Sequence, residues 1–167
     1  MKKVFWLLTL LFLLPRCFGE ALVDEALLHL EKPYIYTSAG AESFDCSGFT
    51  FYCVKEIYGI ELPRSAYGQG YDDTYPKIEQ IEDLKPGDLV FFDTIKDKDL
   101  CDHAGIYIGN NQFIHASSSQ EKVVISDITD SYYLNHFSWG RRIAKGVYYE
   151  KPYHTRSEKQ QLETCAP

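Results

Sequence analysis

The chain reads as an α+β domain in which helices come first and an antiparallel sheet follows. Two observations carry that reading. Apolar residues recur at helical spacing in the first part of the chain, at Leu22, Ala26, Leu27 and Leu30, then at Phe49, Tyr52, Cys53 and Ile57. From residue 87 the period is lost, and short apolar runs separated by turn residues take over. Helices followed by a run of strands predict N-terminal helices packed on an antiparallel sheet. At 167 residues, 45% hydrophobic and 25% charged, the chain is globular and long enough for one core of ordinary size.

Residues 1–19 stand outside that domain. Lys2-Lys3 is a positive n-region and Val4 to Leu14 an apolar h-region, broken by Pro15-Arg16. Small residues at Cys17 and Gly19 then predict a secretory signal peptide cut after Gly19, and export to the periplasm or the extracellular wall. The apolar run is too short to span a bilayer, so no stable membrane insertion is expected after cleavage. Cys17 follows the h-region as a lipid-bearing cysteine does, but Pro15 and Arg16 stand where small residues belong, so lipid anchoring is not expected. The domain proper is placed at residues 20–148, and the polar segment 149–167 is expected to be a flexible tail. Loss of the leader takes the net charge from −7 to −10. So acidic a surface argues against nucleic acid as a partner. Cys46, Cys53, Cys101 and Cys165 remain, and export permits a disulfide among those that need not stay reduced.

Within the domain, Glu20 to Glu31 predicts an amphipathic helix ended by Pro33. Residues 33–44 form a loop of small residues. Cys46 to Tyr58 predicts the second helix, with Gly59 just beyond its C-terminus. A short helix follows Leu62-Pro63-Arg64-Ser65 and reaches about Gly70, and 71–86 is polar and turn-rich. Asp88 to Asp93 predicts a buried strand after the turn Lys85-Pro86-Gly87. His103 to Gly109 and Gln112 to Ala116 predict a hairpin closed by Asn110-Asn111, since Asn tolerates positive φ. A strand at Val123 to Ser126, a short helix near Ile128 to Leu134 and a strand from Trp139 to Val147 complete the domain.

Three residues in this frame could carry chemistry together. Cys46 falls at a helix N-terminus, where free N–H groups and the dipole favour a thiolate, which is the nucleophilic form. His103 opens one hairpin strand and His115 lies near the end of the other. In ideal register His103 faces Ser118 and His115 faces Ile106, which puts the two rings on opposite faces. A bulge or twist is needed to bring them together. If they meet, a thiol, a base and a group orienting the base are assembled.

The motifs Phe44-Asp45-Cys46-Ser47-Gly48-Phe49, Leu62-Pro63-Arg64-Ser65 with Gln69, Leu84-Lys85-Pro86-Gly87-Asp88-Leu89-Val90-Phe91-Phe92, His103 to Gly109, Phe113-Ile114-His115-Ala116 and Phe137 to Ile143 stand in order. Together they resemble the NlpC-type family of bacterial cell-wall cysteine peptidases, over about residues 22–146. The resemblance implies a papain-like α+β fold with Cys46 as nucleophile, His103 as base and His115 as the third polar residue. It further implies that Tyr34 stands near the reacting carbonyl and that Asp45 and Ser47 surround a free amine of the substrate. The substrate so implied is peptidoglycan or its muropeptides, cut between D-γ-glutamate and a diamino acid, with neither cofactor nor metal. One departure is that Tyr36 is followed by Thr37-Ser38-Ala39-Gly40, where the resembled family commonly carries two glycines after an aromatic residue.

A zinc centre from Cys46, Cys101, His103 and His115 lacks paired-ligand spacing. An amidase or acyltransferase would use the same triad, and a non-catalytic wall-binding protein would not need it intact. The acidic runs at Tyr71-Asp72-Asp73 and Glu79 to Asp83 read as solvated loops, and Cys53 as core.

Overall fold

The computed structural model describes residues 18–95 and 101–143. The expected leader up to residue 17, the tail, and residues 144–147 of the expected last strand lie outside the described residues; within them that strand starts earlier, at Phe137, and ends at Arg141, where Arg142 N–H turns away to Pro76 O. No helix among the described residues is long and apolar enough to cross a membrane.

The order of elements is helices before sheet. Helix α1 (Phe18–Leu27) takes in the last two residues assigned to the leader. It stops short of Glu31 because the next turns bond three residues back, Leu28 N–H to Glu25 O and His29 N–H to Ala26 O. Glu31 then turns left-handed at φ 67°. That early end rotates the apolar stripe. Leu22 and Ala26 are buried as expected, but Leu30 is 37% exposed and His29 takes the inner position. The His29 Nε2 lies 3.0 Å from Glu25 Oε1, and its ring packs edge-on to Phe44, Phe49 and Tyr52. The predicted loop 33–44 contains a minimal hairpin, β1 (Ala39–Gly40) and β2 (Ser43–Phe44).

Helix α2 (Cys46–Tyr58) runs over the span that the periodicity marks. Asp45 is its N-cap and accepts the Gly48 N–H, while Gly59 closes it at φ 69°. Helix α3 (Ala66–Gly70) is capped by Ser65, whose hydroxyl accepts the Gly68 N–H. The segment read as turns holds strand β3 (Lys77–Ile78) and a 3-10 turn at Ile81–Asp83.

The main sheet has six strands in the order β3-β8-β4-β5-β6-β7, with every neighbour antiparallel. The remaining strands are β4 (Leu89–Phe92), β5 (His103–Gly109), β6 (Gln112–Ser117), β7 (Lys122–Asp127) and β8 (Phe137–Arg141). Strand β4 is buried along its whole length because both faces of the sheet are covered. Leu89 and Phe91 join the core formed with α1 and α2, around Phe44, Phe49, Ile106 and Ile114. Val90 and Phe92 join a second core with Tyr107, Phe113 and Ile128. Helix α4 (Ser131–His136) closes that second face through Tyr133. Burying each of the large apolar side chains stabilises the fold by roughly 1.5–3 kcal/mol.

Candidate active site

The Cys46 thiol stands at the first residue of α2, half-buried. Its Sγ donates a long hydrogen bond, 3.8 Å, to the backbone oxygen of Asp102, so it rests against the residue preceding His103. Two devices hold the helix start there. The Asp45 Oδ1 accepts from Gly48 N at 2.6 Å. Gly48 leaves room for the preceding loop: a Cβ there would lie 2.0 Å from Ser38 O, which itself accepts the Asp45 N–H at 2.9 Å. Any larger residue at position 48 would push that loop off the helix.

The electrostatics run against the sequence expectation of a lowered thiol. Burial, then the neighbouring Asp45 carboxylate, pushes the Cys46 thiol above its ordinary value. The Ala104 N–H from β5 pulls it down, as do the Ser47 and Cys46 N–H groups of the helix start, but they are outweighed. Burial takes the His103 ring down to about 4, with Asp102 opposing. Both shifts favour a neutral thiol beside a neutral imidazole.

The two histidines do meet. His103 Nε2 lies 2.8 Å from His115 Nδ1. The sequence supplies the means at the hairpin turn, where Asn110 and Asn111 adopt φ 53° and 60° and Gly109 φ 95°. The register slips between Gly109 and Tyr107, so that Gly109 faces Gln112 but Tyr107 faces Phe113 and Ile106 faces Ile114. That single-residue shift moves His115 from the face of Ile106 to that of Gly105 and His103. Gly105 leaves room for the neighbouring strand: a Cβ there would meet Phe113 Cδ2 at 2.8 Å and His115 Cβ at 3.1 Å. His115 is 1% exposed and stacks on Phe113 at 4.6 Å. Burial and then His103 hold its ring well below the usual range.

Around the thiol lies an open groove of about 790 Å³. Tyr34, Asp45, Cys46 and Ser47 all line it, joined by Tyr36, Arg64 and Tyr67. Burial, then Cys46 and Asp45, raises the Tyr34 hydroxyl, so it remains a protonated donor at neutral pH. Asp45 is 6% exposed and engaged by more than the helix start. Arg64 grips it with both nitrogens, Nη1 to Oδ1 at 2.9 Å and Nη2 to Oδ2 at 2.7 Å. Arg64 Nη1 also donates to Ser47 Oγ at 3.1 Å and Nη2 to Ser38 O at 3.1 Å. Beneath it the buried Gln69 donates to Ser47 O and Pro63 O, both at 2.9 Å, and accepts from Thr50 Oγ1 at 2.6 Å. Thr37, where the resembled family has a glycine, sits at φ 67° on the groove rim.

Sequence reasoning did not find Arg64 as the partner of Asp45, although both belong to recognised motifs. It also missed Ser126 and Tyr133. The Nε2 of His115 lies 3.0 Å from Ser126 Oγ and 3.3 Å from the Tyr133 hydroxyl. A lone serine on a strand and a tyrosine on a short helix carry no pattern that could have marked them. Among the described residues no group of three or more His, Cys, Asp or Glu side chains could hold a metal ion. The four residues of the zinc alternative are not so gathered.

Comparison with known proteins agrees with this architecture. The profile of the NlpC/P60 family matches residues 31–142. The murein DD-endopeptidase MepH of Escherichia coli strain K12 is 32% identical over 122 residues, covering 72% of this chain and 44% of that protein. The gamma-DL-glutamyl hydrolase of Bacillus subtilis strain 168 is 39% identical over 123 residues, covering 72% of this chain and 28% of that protein. The chain spans about half the length of the curated relatives it matches first. The crystal structure of the NlpC/p60 domain of the peptidoglycan hydrolase SagA superposes with a TM-score of 0.64 at 26% identity, covering 75% of this chain and 98% of that domain. A family profile spanning more than half of the chain, relatives of this identity and the shared backbone make one statement: the chain belongs to the NlpC/P60 family.

Proposed function

We propose that the chain is an exported cysteine peptidase that hydrolyses the stem peptides of peptidoglycan, with Cys46 as nucleophile, His103 as general base and acid, and His115 as the residue that orients His103. The observation that carries this reading is the 2.8 Å contact between His103 Nε2 and His115 Nδ1, with the Cys46 sulfur resting against the neighbouring Asp102. A contact through Nε2 frees His103 Nδ1 for the thiol proton.

Because both partners begin neutral, attack and proton transfer go together. The Cys46 sulfur forms a bond to the amide carbonyl carbon as its proton passes to His103. The oxyanion is met by the Cys46 backbone N–H and the Tyr34 hydroxyl. His103 then gives its proton to the leaving amine, and water, deprotonated by the same ring, hydrolyses the thioester. Asp45 and Ser47 receive the free amine of the substrate. Arg64 already partners the carboxylate, so the amine approaches an ion pair and not a lone anion.

The bond proposed is that between D-γ-glutamate and the diamino acid. The relatives bear on both candidates, one being named a gamma-DL-glutamyl hydrolase and another a murein DD-endopeptidase. Digestion of purified muropeptides with product masses separates them. Fragments ending in γ-glutamate support the proposal. Release across a D,D cross-link moves the bond, loss of whole stem peptides makes the protein an amidase, and no product with retained binding makes it a wall-binding protein. Activity that a chelator abolishes and zinc restores would overturn the metal-free mechanism.

A further inference from the structure

The 2.8 Å contact between the two histidines poses a question of proton placement, because a neutral pair shares one hydrogen across it. If His103 Nε2 carries that hydrogen, its Nδ1 is bare and can act as a base. If His115 Nδ1 carries it, His103 must be protonated at Nδ1 and cannot take the thiol proton. The choice is made on the far side of His115. Its Nε2 faces two hydroxyls, Ser126 Oγ at 3.0 Å and Tyr133 at 3.3 Å. Ser126 in turn donates its hydrogen to the Tyr133 oxygen, at 3.4 Å.

We propose that Ser126 and Tyr133 are positioning residues that hold His115 as its Nε2–H tautomer, and through it keep His103 in the form that accepts the thiol proton. A serine hydroxyl has one hydrogen. With that hydrogen spent on Tyr133, the Ser126 oxygen, the nearer of the two at 3.0 Å, accepts from His115 Nε2, and the arrangement requires the Tyr133 O–H to point away from that nitrogen. His115 Nδ1 is then bare and accepts from His103 Nε2–H. The chain of donors runs from His103 through His115 and Ser126 to Tyr133, and the imidazolium formed during attack keeps the same direction. No proton need leave His103 by this route.

The fold builds the arrangement from separate elements. Ser126 lies opposite Phe113 on β7, and so shares the face that carries Phe113 and His115 on β6. Helix α4 brings Tyr133 over the same spot, its ring edge-on to Phe113 at 4.8 Å and to His115 at 5.6 Å. Burial raises the Tyr133 hydroxyl, so it does not become an anion that would draw a proton from His115. Neither Ser126 nor Tyr133 lines the groove around Cys46. Their hydrogen bonds reach the site through His115.

The inference rests on the reading of His103 as the base, and its test is chosen to stand apart from that reading. Nitrogen-15 spectra of the full chain, labelled at histidine and recorded without substrate, report which nitrogen of His115 carries the hydrogen, with His115→Gln assigning the signals. Wild type is expected to show Nε2–H and a bare Nδ1. The double variant Ser126→Ala/Tyr133→Phe, which keeps the Tyr133 ring packing, is expected to show mixed tautomers. Its kcat on a muropeptide should fall by about tenfold or more with little change in KM, the scale known for hydrogen-bond partners of metal-bound histidines. Ser126→Thr, which restores a hydroxyl, should recover most of the loss. A His115 protonated at Nδ1 in wild type, or a tautomer unchanged in a folded double variant, would overturn the inference. The spectra judge the tautomer whether or not any muropeptide is cleaved.

Discussion

His115 stands across from Gly105 and not from Ile106, because the hairpin slips by one residue between Gly109 and Tyr107. On that slip depends the 2.8 Å contact with His103, since side chains on a strand change face at every step.

Gly105 is the first place to test this. A methyl group at that position would press on Phe113 Cδ2 at 2.8 Å, Ile114 O at 3.0 Å and His115 Cβ at 3.1 Å. A backbone oxygen cannot swing away, so the strands must part. Gly105→Ala is expected to lower stability by about 1–3 kcal/mol, the ordinary cost of overpacking. Turnover should fall further than that loss of folded protein explains. Urea unfolding beside kcat/KM measures both, and an unchanged kcat/KM would mean that the ring separation is not critical.

Burial of the histidines sets the response to acid. The unfolded chain binds a proton on each ring near pH 6.5, whereas folded His103 binds one only near pH 4. Between those values the unfolded state holds more protons, so stability is lost as pH falls from 6.5 to 4 and the loss levels off below. For His103 alone it is on the order of 3 kcal/mol, and His115 adds in the same direction. Chemical denaturation across this range should show the slope, and His103→Gln should flatten it. The acid limb of kcat/KM should likewise lie near pH 4, not 6.5.

The thiols should separate by exposure. Cys46 is half-buried on the groove, whereas Cys53 and Cys101 are buried, with the Cys53 thiol far above its usual range and Cys101 pushed up to about 11. Alkylation at neutral pH is expected to mark Cys46 first, and its rate should keep rising with pH through 9 because that thiol too is raised. A rate already level at pH 6 would reveal a preformed thiolate. Cys46→Ser should remove turnover and keep the fold. Cys53→Ser should cost about 1–3 kcal/mol for an uncompensated buried hydroxyl.

Much of the fold was legible because local chemistry and tertiary packing agree. The apolar spacing from Cys46 to Tyr58 and Gly59 just beyond mark α2, and Asn110-Asn111 mark the hairpin. Leu30 misled, since a helical stripe extrapolates past the point where α1 ends, and His29 occupies the inner position instead. The catalytic candidates were visible as residue types at a helix start and on paired strands. The need for a slip followed from pairing the two histidines, but its place between Tyr107 and Gly109 did not, because a bulge depends on the twist of the whole sheet. The raised Cys46 thiol was also hidden. A helix N-terminus can be read from spacing, but burial and the nearness of Asp45 come only with the fold. Arg64 lies 19 residues from Asp45, and Ser126 and Tyr133 lie 11 and 18 residues from His115, spacings that no local structure explains.

The most direct test of the account compares His103→Ala, His115→Ala, His115→Asn and His115→Gln by kcat/KM on one muropeptide, with folding checked by circular dichroism. In the proposed mechanism His103 moves the proton, so its removal should cost more than the ~10²–10⁴ ascribed to general acid–base catalysis. His115 only presents an acceptor to His103 Nε2, and the side-chain oxygen of Asn or Gln can do the same. The account predicts His115→Asn and His115→Gln above His115→Ala, and all three above His103→Ala. A folded His103→Ala that remains the most active of the four would contradict it.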